Sequence, residues 1–253
     1  MKAKKYSILA LFLILLLGCN SENASDCFQN AGEMIQEEID VAAFSTITVF
    51  EGVKLVVKQG AEQKVTLATG EFLRNDISLE VAEGRLTIRN ENRCNLVRDF
   101  GLTTVFVTSP NISEIRSSTG FPIKSDGVLR YPSLSLLSES FGVPEAETTD
   151  GEFEIEVSNT RLNIVSNGIA YFHLKGNTEN FNSVIAAGDS RVDAQYLLAE
   201  HIVINHRGSN DILVNPKQSL KGTLTGTGDV ISFNQPFVVE VEALYKGKLI
   251  FKN

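Results

Sequence analysis

Apolar and polar side chains alternate along most of this chain from Phe44 onward. The alternating stretches are four to six residues long, rich in β-branched side chains and bounded by Gly, Asn or Asp, as half-buried β-strands are. Clear examples are residues 53–57, 77–81, 85–89, 153–157 and 161–164. No segment after Asp40 keeps apolar residues at helical spacing for three turns. We therefore predict an all-β body.

Glycine-led segments recur at regular intervals in the second half of the chain. Gly168, Gly188 and Gly208 begin three evenly spaced segments, and Gly226 begins the next after a slightly shorter interval. The interval of about 20 residues is close to one coil of a parallel β-solenoid, where glycine serves turns that need a positive φ. We predict a parallel β-helix whose turn glycines are Gly120, Gly142, Gly168, Gly188, Gly208, Gly226 and Gly228.

The pattern leaves two structural alternatives open. An antiparallel β-sandwich with glycine at its turns has a similar sequence signature. These two alternatives concern residues 115–235, whereas residues 44–110 form either the first coils of the solenoid or a flanking sheet. If the solenoid prediction is right, we expect Gly188 and Gly208 to have positive φ and to stack about 4.8 Å apart.

Four blocks of the chain carry a recognisable pattern, and the first has an order of Gln-Gly and apolar residues that generic strands lack. They are residues 44–60, which end in Gln-Gly, residues 84–88, residues 105–120, which contain Ser-Pro-Asn, and residues 226–230, which begin Gly-Thr-Gly-Asp. This order resembles the auto-transporter adhesin head GIN domain family over residues 44–250.

The resemblance implies a right-handed β-helical fold on an exported, often lipid-anchored protein of Gram-negative bacteria, with an adhesin-like role. The family has no established catalytic or ligand-binding residues, so none is carried over to this chain. The sequence departs from the family at residues 143–149, an acidic insertion that contains proline. We expect this insertion to form a longer loop that protrudes from one coil.

The beginning of the chain has the features of an export signal. Lys2, Lys4 and Lys5 precede an apolar run over residues 8–17, which is too short to span a bilayer. The run ends in Leu-Leu-Gly-Cys19, which resembles a bacterial lipoprotein lipobox. The resemblance implies cleavage before Cys19 and its modification by a diacylglyceryl group and an acyl chain such as palmitate. The alternative is a plain signal peptide with an unrelated cysteine.

These features divide the chain into three parts. Residues 1–18 are the predicted signal peptide, and residues 19–40 are the predicted lipidated cysteine and polar tether, with a short helical turn around residues 34–38. Residues 41–253 are the predicted β-solenoid domain. The lipid anchor places the protein in the cell envelope, and we expect the outer membrane. The sequence does not decide between a periplasmic and a surface-facing orientation.

Cysteine usage predicts one disulfide. The sequence has three cysteines, and lipidation of Cys19 leaves Cys27 and Cys94 in an oxidising compartment, where an even number favours pairing. The bridge would close a long loop and join the end of the tether to the body. Two unpaired thiols are the alternative.

The charge balance excludes one class of partner. The chain has 23 basic and 31 acidic residues, and three of the basic residues lie in the predicted signal peptide. The exported body is therefore strongly acidic. Because such a surface repels phosphate backbones, we expect no nucleic-acid binding.

The sequence contains few candidates for metal binding or catalysis. Its histidines, His173, His201 and His206, are too dispersed for a zinc motif. The acidic residues that recur once per coil suggest either calcium ligands or caps on turn amides, and we favour caps; these are Asp189, Asp193, Asp211 and Asp229. A polysaccharide lyase would also need a basic residue beside the acids, and the candidates are Lys175, Arg191 and Arg207.

The leading interpretation is a non-catalytic, adhesin-like envelope protein that binds another surface, either protein or glycan. We expect no metal and no cofactor. The tyrosines and phenylalanines offer stacking surfaces for sugars, although we expect most of the phenylalanines in the core. A polysaccharide lyase-like enzyme and a purely structural envelope protein are the two alternatives.

Overall fold

The computed structural model describes residues 26–92, 94–142, 146 and 148–252. The predicted signal peptide, Cys19 and most of the 143–149 insertion lie outside the described residues. Within these ranges, no helix is long and apolar enough to cross a bilayer. Two short 3₁₀ turns, Asp26–Phe28 and Glu71–Asp76, accompany a chain that is otherwise built of strands and loops.

The strands are numbered in chain order. In the first half they are β1 (Met34–Glu38), β2 (Thr46–Val49), β3 (Val53–Gln59), β4 (Lys64–Gly70), β5 (Ile77–Ala82), β6 (Arg85–Asn90), β7 (Thr103–Ser109), β8 (Glu114–Ser117), β9 (Pro122–Ser125) and β10 (Ser133–Ser138). In the second half they are β11 (Glu152–Ser166), β12 (Tyr171–Ile185), β13 (Arg191–His206), β14 (Ile212–Leu224), β15 (Val230–Ser232), β16 (Val238–Ala243) and β17 (Leu249–Phe251).

The strands form two faces around one core, which we call sheet A and sheet B. Sheet A has the order β5-β6-β2-β8-β10, then the second halves of β11 to β14, then β16. Sheet B has the order β1-β4-β7-β3-β9, then the first halves of β11 to β14, then β15 and β17. Strands β11 to β14 each contribute to both faces.

Parallel pairing dominates, which confirms the solenoid and rules out the antiparallel β-sandwich. The antiparallel pairs among the described strands are β1–β4, β4–β7 and β5–β6, all at the N-terminal end. Residues 44–110 therefore form both the first coils of the solenoid and flanking strands. Strands β2, β3, β6 and β7 are coil strands, whereas β4 and β5 flank them.

The register gives the length of each coil directly. In sheet B, Glu152 pairs with Tyr171, and Tyr171 pairs with Arg191 one coil later. Further along, Ile212 pairs with Val230, and Val230 pairs with Leu249. The sequence separation within each of these pairs confirms the predicted coil of about 20 residues.

Side chains that point inward from equivalent coil positions stack on one another. Phe153 and Phe172 are registered neighbours whose parallel rings lie 4.9 Å apart, and both are fully buried. Burying an aliphatic or aromatic side chain of this size contributes about 1.5–3 kcal/mol. The expectation that most phenylalanines are buried is wrong, because five of the described ones are buried and the others, such as Phe100 and Phe237, are partly or fully exposed.

The turns that lead from sheet A to sheet B also stack. The carbonyl of Gly168 accepts from the amide of Asp189 (2.8 Å), and that of Gly188 accepts from Ser209 (2.9 Å). The series continues from Gly208 to Thr227 and from Gly226 to Gly247, both at 3.1 Å. Because each turn bonds the next, the glycines lie at one edge of the solenoid.

The turn glycines differ in what they require. Gly188 has a φ of +81°, and a Cβ there would lie 2.1 Å from the carbonyl oxygen of Gly168. The positive φ expected for Gly208 is wrong, because that turn has an ordinary φ. Gly208 instead approaches the Ile185 side chain, 2.8 Å from where a Cβ would lie.

Two other predicted turn glycines lie before this series. The amide of Gly142 donates to Glu139 Oε2 (3.0 Å) within its own loop. At Gly120, an added Cβ would lie 3.1 Å from the Asp150 carboxylate. Gly228 lies beside Gly226 in the same turn, and a Cβ there would lie 2.1 Å from the Asn210 carbonyl oxygen.

The N-terminal segment is tied to the body by a strand and a disulfide. The helical turn expected at residues 34–38 is wrong, because this segment is β1 and pairs with β4. Ile35 and Glu37 are half-buried and alternate with exposed residues, as expected for a strand at the edge of a sheet. Cys27 and Cys94 form the predicted disulfide, with Cα atoms 4.5 Å apart. It joins the start of the body to the loop between β6 and β7.

Candidate functional site

A shallow groove lies on the outer face of sheet B, where β9 and the first halves of β11, β12 and β13 run side by side. Its volume is about 540 Å³. Parallel pairing aligns the outward side chains in rows, because registered residues of neighbouring strands point the same way. The lining residues used below are Lys124, Glu152, Glu154, Glu156, His173, Lys175, Asp193 and Tyr196.

Registered pairs in these rows carry opposite charges. Lys124 is paired with Glu154 in the β9–β11 register, and its Nζ lies 2.7 Å from Glu154 Oε1. Lys175 is paired with Glu156, and its Nζ lies 3.0 Å from Glu156 Oε2. These half-exposed ion pairs add little to stability. They set each lysine beside the carboxylate of its registered partner on the groove surface.

A bulge in β13 brings Tyr196 to the groove. His173 pairs with Asp193, but Lys175 pairs with Tyr196, so β13 has one additional residue between these two pairs. A bulge of this kind turns one side chain out of the regular alternation. Tyr196 is 72% exposed as a result. Its ring stands at one edge of the groove as a free aromatic surface.

A second tyrosine lies just outside the groove on the same face. Tyr171 is registered between Glu152 and Arg191 and is 42% exposed. Exposed tyrosines offer an apolar ring together with a hydroxyl that donates and accepts hydrogen bonds.

The groove carries a small net negative charge. Four carboxylates and two ammonium groups line it, which gives a net charge of −2 apart from His173. His173 Nε2 lies 4.0 Å from Glu152 Oε1, and Asp193 accepts from Gln195 Nε2 at 3.0 Å. Carboxylates accept hydrogen bonds and ammonium groups donate them, so the surface presents both functions within a few ångströms.

The recurring aspartates do not converge on one point. Asp189 accepts from Ser209 Oγ (2.7 Å), Asp211 from the amide of Asp229 (3.1 Å), and Asp229 from the amide of Lys248 (2.8 Å). These three carboxylates cap groups of the neighbouring turn, whereas Asp193 faces the groove. Among the described residues, no group of three or more His, Cys, Asp or Glu side chains has a metal-binding arrangement.

The basic residues considered for a lyase are similarly separated. Lys175 is bound to Glu156 in the groove, while Arg191 Nη1 donates to Asn210 Oδ1 (3.2 Å) and Arg207 is exposed in a turn. The structure does not bring these three groups together at one site.

The two remaining histidines lie away from the groove. His201 Nδ1 is 2.9 Å from Ser219 Oγ on sheet A. His206 is buried beside the stacked glycine turns, and its Nδ1 accepts a hydrogen bond from the amide of Gly208 (3.4 Å). Burial lowers the pKa of His206, against the opposing influence of the Asn210 backbone and of Asp211 and Asp229.

A buried ion pair supports the loop after β10. Arg116 and Glu139 are in contact, with side chains only 8% and 7% exposed. Burial alone would raise the pKa of Glu139, but hydrogen bonds from Arg116 and from the amides of Gly142 and Phe141 outweigh it and lower the pKa. This pair and the amides of Phe141 and Gly142 hold the chain directly after β10.

A second, smaller concavity of about 330 Å³ lies beside the disulfide loop. Its asparagines are largely engaged by the backbone. Asn90 Nδ2 donates to the Gly52 carbonyl (3.3 Å), and Asn92 Nδ2 donates to that of Leu73 (3.0 Å). These amides stabilise the loop, so the groove on sheet B is the better candidate site.

Sequence reasoning missed most of the groove. It singled out His173, Lys175 and Asp193 one by one, but not Lys124, the three glutamates or Tyr196. The alternation Phe-Glu-Ile-Glu-Val at residues 153–157 was visible, and its partners one coil later would have completed the rows. The bulge that exposes Tyr196 has no clear local signal.

Comparison with known proteins places this fold in a wider group. The family model described as "Putative auto-transporter adhesin, head GIN domain" matches residues 43–236. No curated protein matches the chain. A "putative adhesin" from Bacteroides fragilis has a similar structure, with a TM-score of 0.74, 17% identity and coverage of 88% of this chain and 99% of that one.

Two structures from Parabacteroides are also similar. A "putative lipid binding protein" from Parabacteroides distasonis has a TM-score of 0.61 and 14% identity, covering 88% of this chain and 98% of that one. A "putative adhesin" from Parabacteroides merdae has a TM-score of 0.57 and 15% identity, covering 88% and 97%. At these identities the likeness is one of fold.

Proposed function

Because the chain belongs to the auto-transporter adhesin head GIN domain family, we propose that it is a lipid-anchored, non-catalytic envelope protein that binds neutral glycans through the groove on sheet B. The family supports an adhesin-like role at the cell envelope or surface. The anchor at Cys19, its acylation, the outer membrane and the identity of the bound glycan are parts of this proposal.

The row of paired charges beside Tyr196 is the observation that carries the glycan assignment. Sugar hydroxyls both donate and accept hydrogen bonds, and the groove offers carboxylate acceptors and ammonium donors side by side. The exposed ring of Tyr196 provides an apolar surface for the C–H face of a sugar. Lys124 and Lys175 lie beside Glu154 and Glu156, so each donor has an acceptor next to it, as a sugar with neighbouring hydroxyls requires.

The sign of the charge selects among glycans. A groove with two more carboxylates than ammonium groups repels uronates and sulfated sugars. The same charge disfavours binding of the acidic polymers that a polysaccharide lyase would cleave. A lyase would also need a free basic residue beside an acid, and both Lys175 and Arg191 are engaged by other side chains. The groove is open along its length, which suits a chain-like ligand.

Glycan binding is tested with the exported body, residues 20–253, on an array of neutral and acidic glycans. Tyr196→Ala should weaken binding to a neutral glycan about tenfold, because it removes the stacking surface. Val203→Ala is the matched control, since Val203 is exposed on the same strand but in sheet A. Equal binding by both variants would exclude the groove. Calcium-dependent cleavage of an acidic polysaccharide would favour the lyase instead.

Anchoring is tested separately. Cys19→Ser removes the thiol that would accept the lipid, so the variant should leave the washed membrane fraction. Ser21→Ala, two residues later, is the control and should remain there. Retention of Cys19→Ser in membranes would contradict the lipid anchor without affecting the glycan assignment.

A further inference from the structure

The loop that the disulfide holds carries large apolar side chains on its outside. Leu96 is 69% exposed, Val97 56% and Phe100 77%. Phe28, the residue after the bridged Cys27, is 52% exposed as well. Turns are usually built from Gly, Pro, Asn, Asp and Ser, and exposed apolar patches mark sites of interaction. We call these four apolar side chains the apolar loop surface.

The two central side chains of this surface stand on a braced turn. Asn95 Oδ1 accepts a hydrogen bond from the amide of Arg98 (2.9 Å), which closes a turn around Leu96 and Val97. Arg98 Nη1 donates in turn to the carbonyl of Gln29 (2.9 Å). The turn is therefore fastened to the N-terminal segment while its apolar side chains remain in water.

The turn also lies where the predicted tether enters the body. The amide of Leu96 donates to the carbonyl of Cys27 (3.0 Å). Cys27 follows Cys19, the proposed site of the lipid, by eight positions. A chain of that length spans no more than about 28 Å when extended and averages roughly 15 Å when flexible. A lipid on Cys19 would thus keep the apolar loop surface close to the bilayer.

A bilayer fits this surface better than a folded partner does. A stable protein interface buries roughly 800 Å² on each side, which is more than four side chains on one loop offer. A bilayer contact needs only a few apolar side chains when a lipid anchor already holds the protein at the membrane. Asp99 beside the turn is exposed, and the body is acidic, so zwitterionic lipids match this surface better than anionic ones.

We infer that the apolar loop surface docks onto the membrane that carries the lipid anchor, with Leu96 and Val97 in the interfacial region of the bilayer. The inference rests on the proposed anchor at Cys19, which brings the surface to the membrane. The contact gives the body a fixed orientation, which a polar tether alone leaves free.

The test supplies the anchor chemically. Cys27 and Cys94 are bridged, so in residues 19–253, which contain every described strand, Cys19 offers the thiol for coupling to a maleimide phospholipid in phosphatidylcholine vesicles. The chain has no tryptophan, so Leu96→Trp provides a single fluorescent probe. On coupling, its emission should shift to shorter wavelength and be quenched by phosphatidylcholine brominated on its acyl chains. Leu244→Trp is the matched control at an exposed position near the C-terminal end, and it should show neither change.

A second measurement uses the body without its anchor. Residues 20–253 should partition weakly into phosphatidylcholine vesicles. The double variant Leu96→Ser/Val97→Ser should lower the partition coefficient roughly tenfold, because two apolar side chains are lost from the contact. Leu244→Ser should leave the coefficient unchanged.

The outcomes separate this inference from the anchor on which it rests. Absence of quenching at Leu96→Trp, or equal quenching at Leu244→Trp, would overturn the inference. A dimer of residues 20–253 that Leu96→Ser/Val97→Ser dissociates would assign the surface to a second copy instead. Failure of the proposed anchor is read in cells, where Cys19→Ser would remain in the membrane fraction, whereas the chemically coupled protein reports docking in either case.

Discussion

The two ends of the described solenoid differ in how their outer strands pair. At the N-terminal end, antiparallel strands β1 and β5 form the outer edges of the two sheets, and the Cys27–Cys94 disulfide ties the adjoining segment to the loop before β7. At the C-terminal end, β16 and β17 continue the parallel register, and Val239, which is paired with the buried Leu220, is 39% exposed.

The contacts that hold the two regions also differ in range. In the regular stack, neighbours are about one coil apart in sequence, as with the turns at Gly188 and Ser209. In the N-terminal region, Gln29 Nε2 donates to the Phe72 carbonyl across 43 residues, and Arg98 reaches the Gln29 carbonyl across 69. The stack thus depends on the fit of each turn to the next, whereas the closed end depends on long-range connections.

The sharpest contrast between the regions is in their glycines. Gly188 in the stack and Gly84 between β5 and β6 both have positive φ, +81° and +75°. A Cβ on Gly188 would collide with the Gly168 carbonyl, whereas a Cβ on Gly84 would meet nothing within 4 Å. Gly188→Ala should therefore cost about 3 kcal/mol or more of unfolding free energy, and Gly84→Ala about 1 kcal/mol. Equal losses in urea titrations would show that backbone strain alone governs both positions.

Loss of the disulfide should affect the closed end. Cys94→Ser should lower the unfolding free energy by about 2–4 kcal/mol, since the bridge restricts the unfolded chain over a sequence separation of 67. Amide hydrogen exchange in the variant should become faster in β1, near the lost bridge, than in β12, within the regular stack. The Cys27→Ser/Cys94→Ser variant is the control and should match the single variant. Uniform acceleration across all strands would mean that the two regions unfold as one unit.

A titratable group within the stack should make the protein less stable in mild acid. Because burial lowers the pKa of His206, the unfolded state takes up a proton at a higher pH than the folded state does. Stability is thus complete above the ordinary histidine pKa of about 6.5 and falls as the pH drops toward the folded-state value. His206→Gln should flatten this dependence in unfolding experiments between pH 7.5 and pH 5. His201→Gln, on the outer face of sheet A, should retain it.

The smallest effect is expected one residue after the turn glycine. Ser209 Oγ donates to Asp189 Oδ1 (2.7 Å) at an exposed position. Ser209→Ala should cost about 0.5 kcal/mol, because water replaces an exposed hydrogen bond. A loss as large as that of Gly188→Ala would show that side-chain contacts, and not backbone fit, hold the turns together.

The regular stack was predictable because its physics is local and repeated. Alternation around Phe153 and glycines spaced by one coil specify strands and turns without knowledge of distant residues. The disulfide followed from the number of cysteines and the predicted oxidising compartment. The φ of Gly208 was not predictable, because a close approach to the Ile185 side chain excludes larger residues as effectively as backbone conformation does.

The closed end and the groove could not be predicted in the same way. The coil formed by β2 and β3 lies between those of β6–β7 and β8–β9, so spatial order departs from chain order. Alternation in β1 and β5 is the same whether they pair parallel or antiparallel. The buried Arg116–Glu139 pair unites charges 23 residues apart, and no local pattern distinguishes them from exposed residues.

The position of the disulfide has a mechanical consequence for an anchored adhesin. A pull between the proposed lipid anchor and a ligand in the groove reaches the body at Cys27, where the disulfide joins the predicted tether to it. The bridge passes this load to Cys94 in the loop between β6 and β7, so that it does not fall on β1 alone at the edge of sheet B.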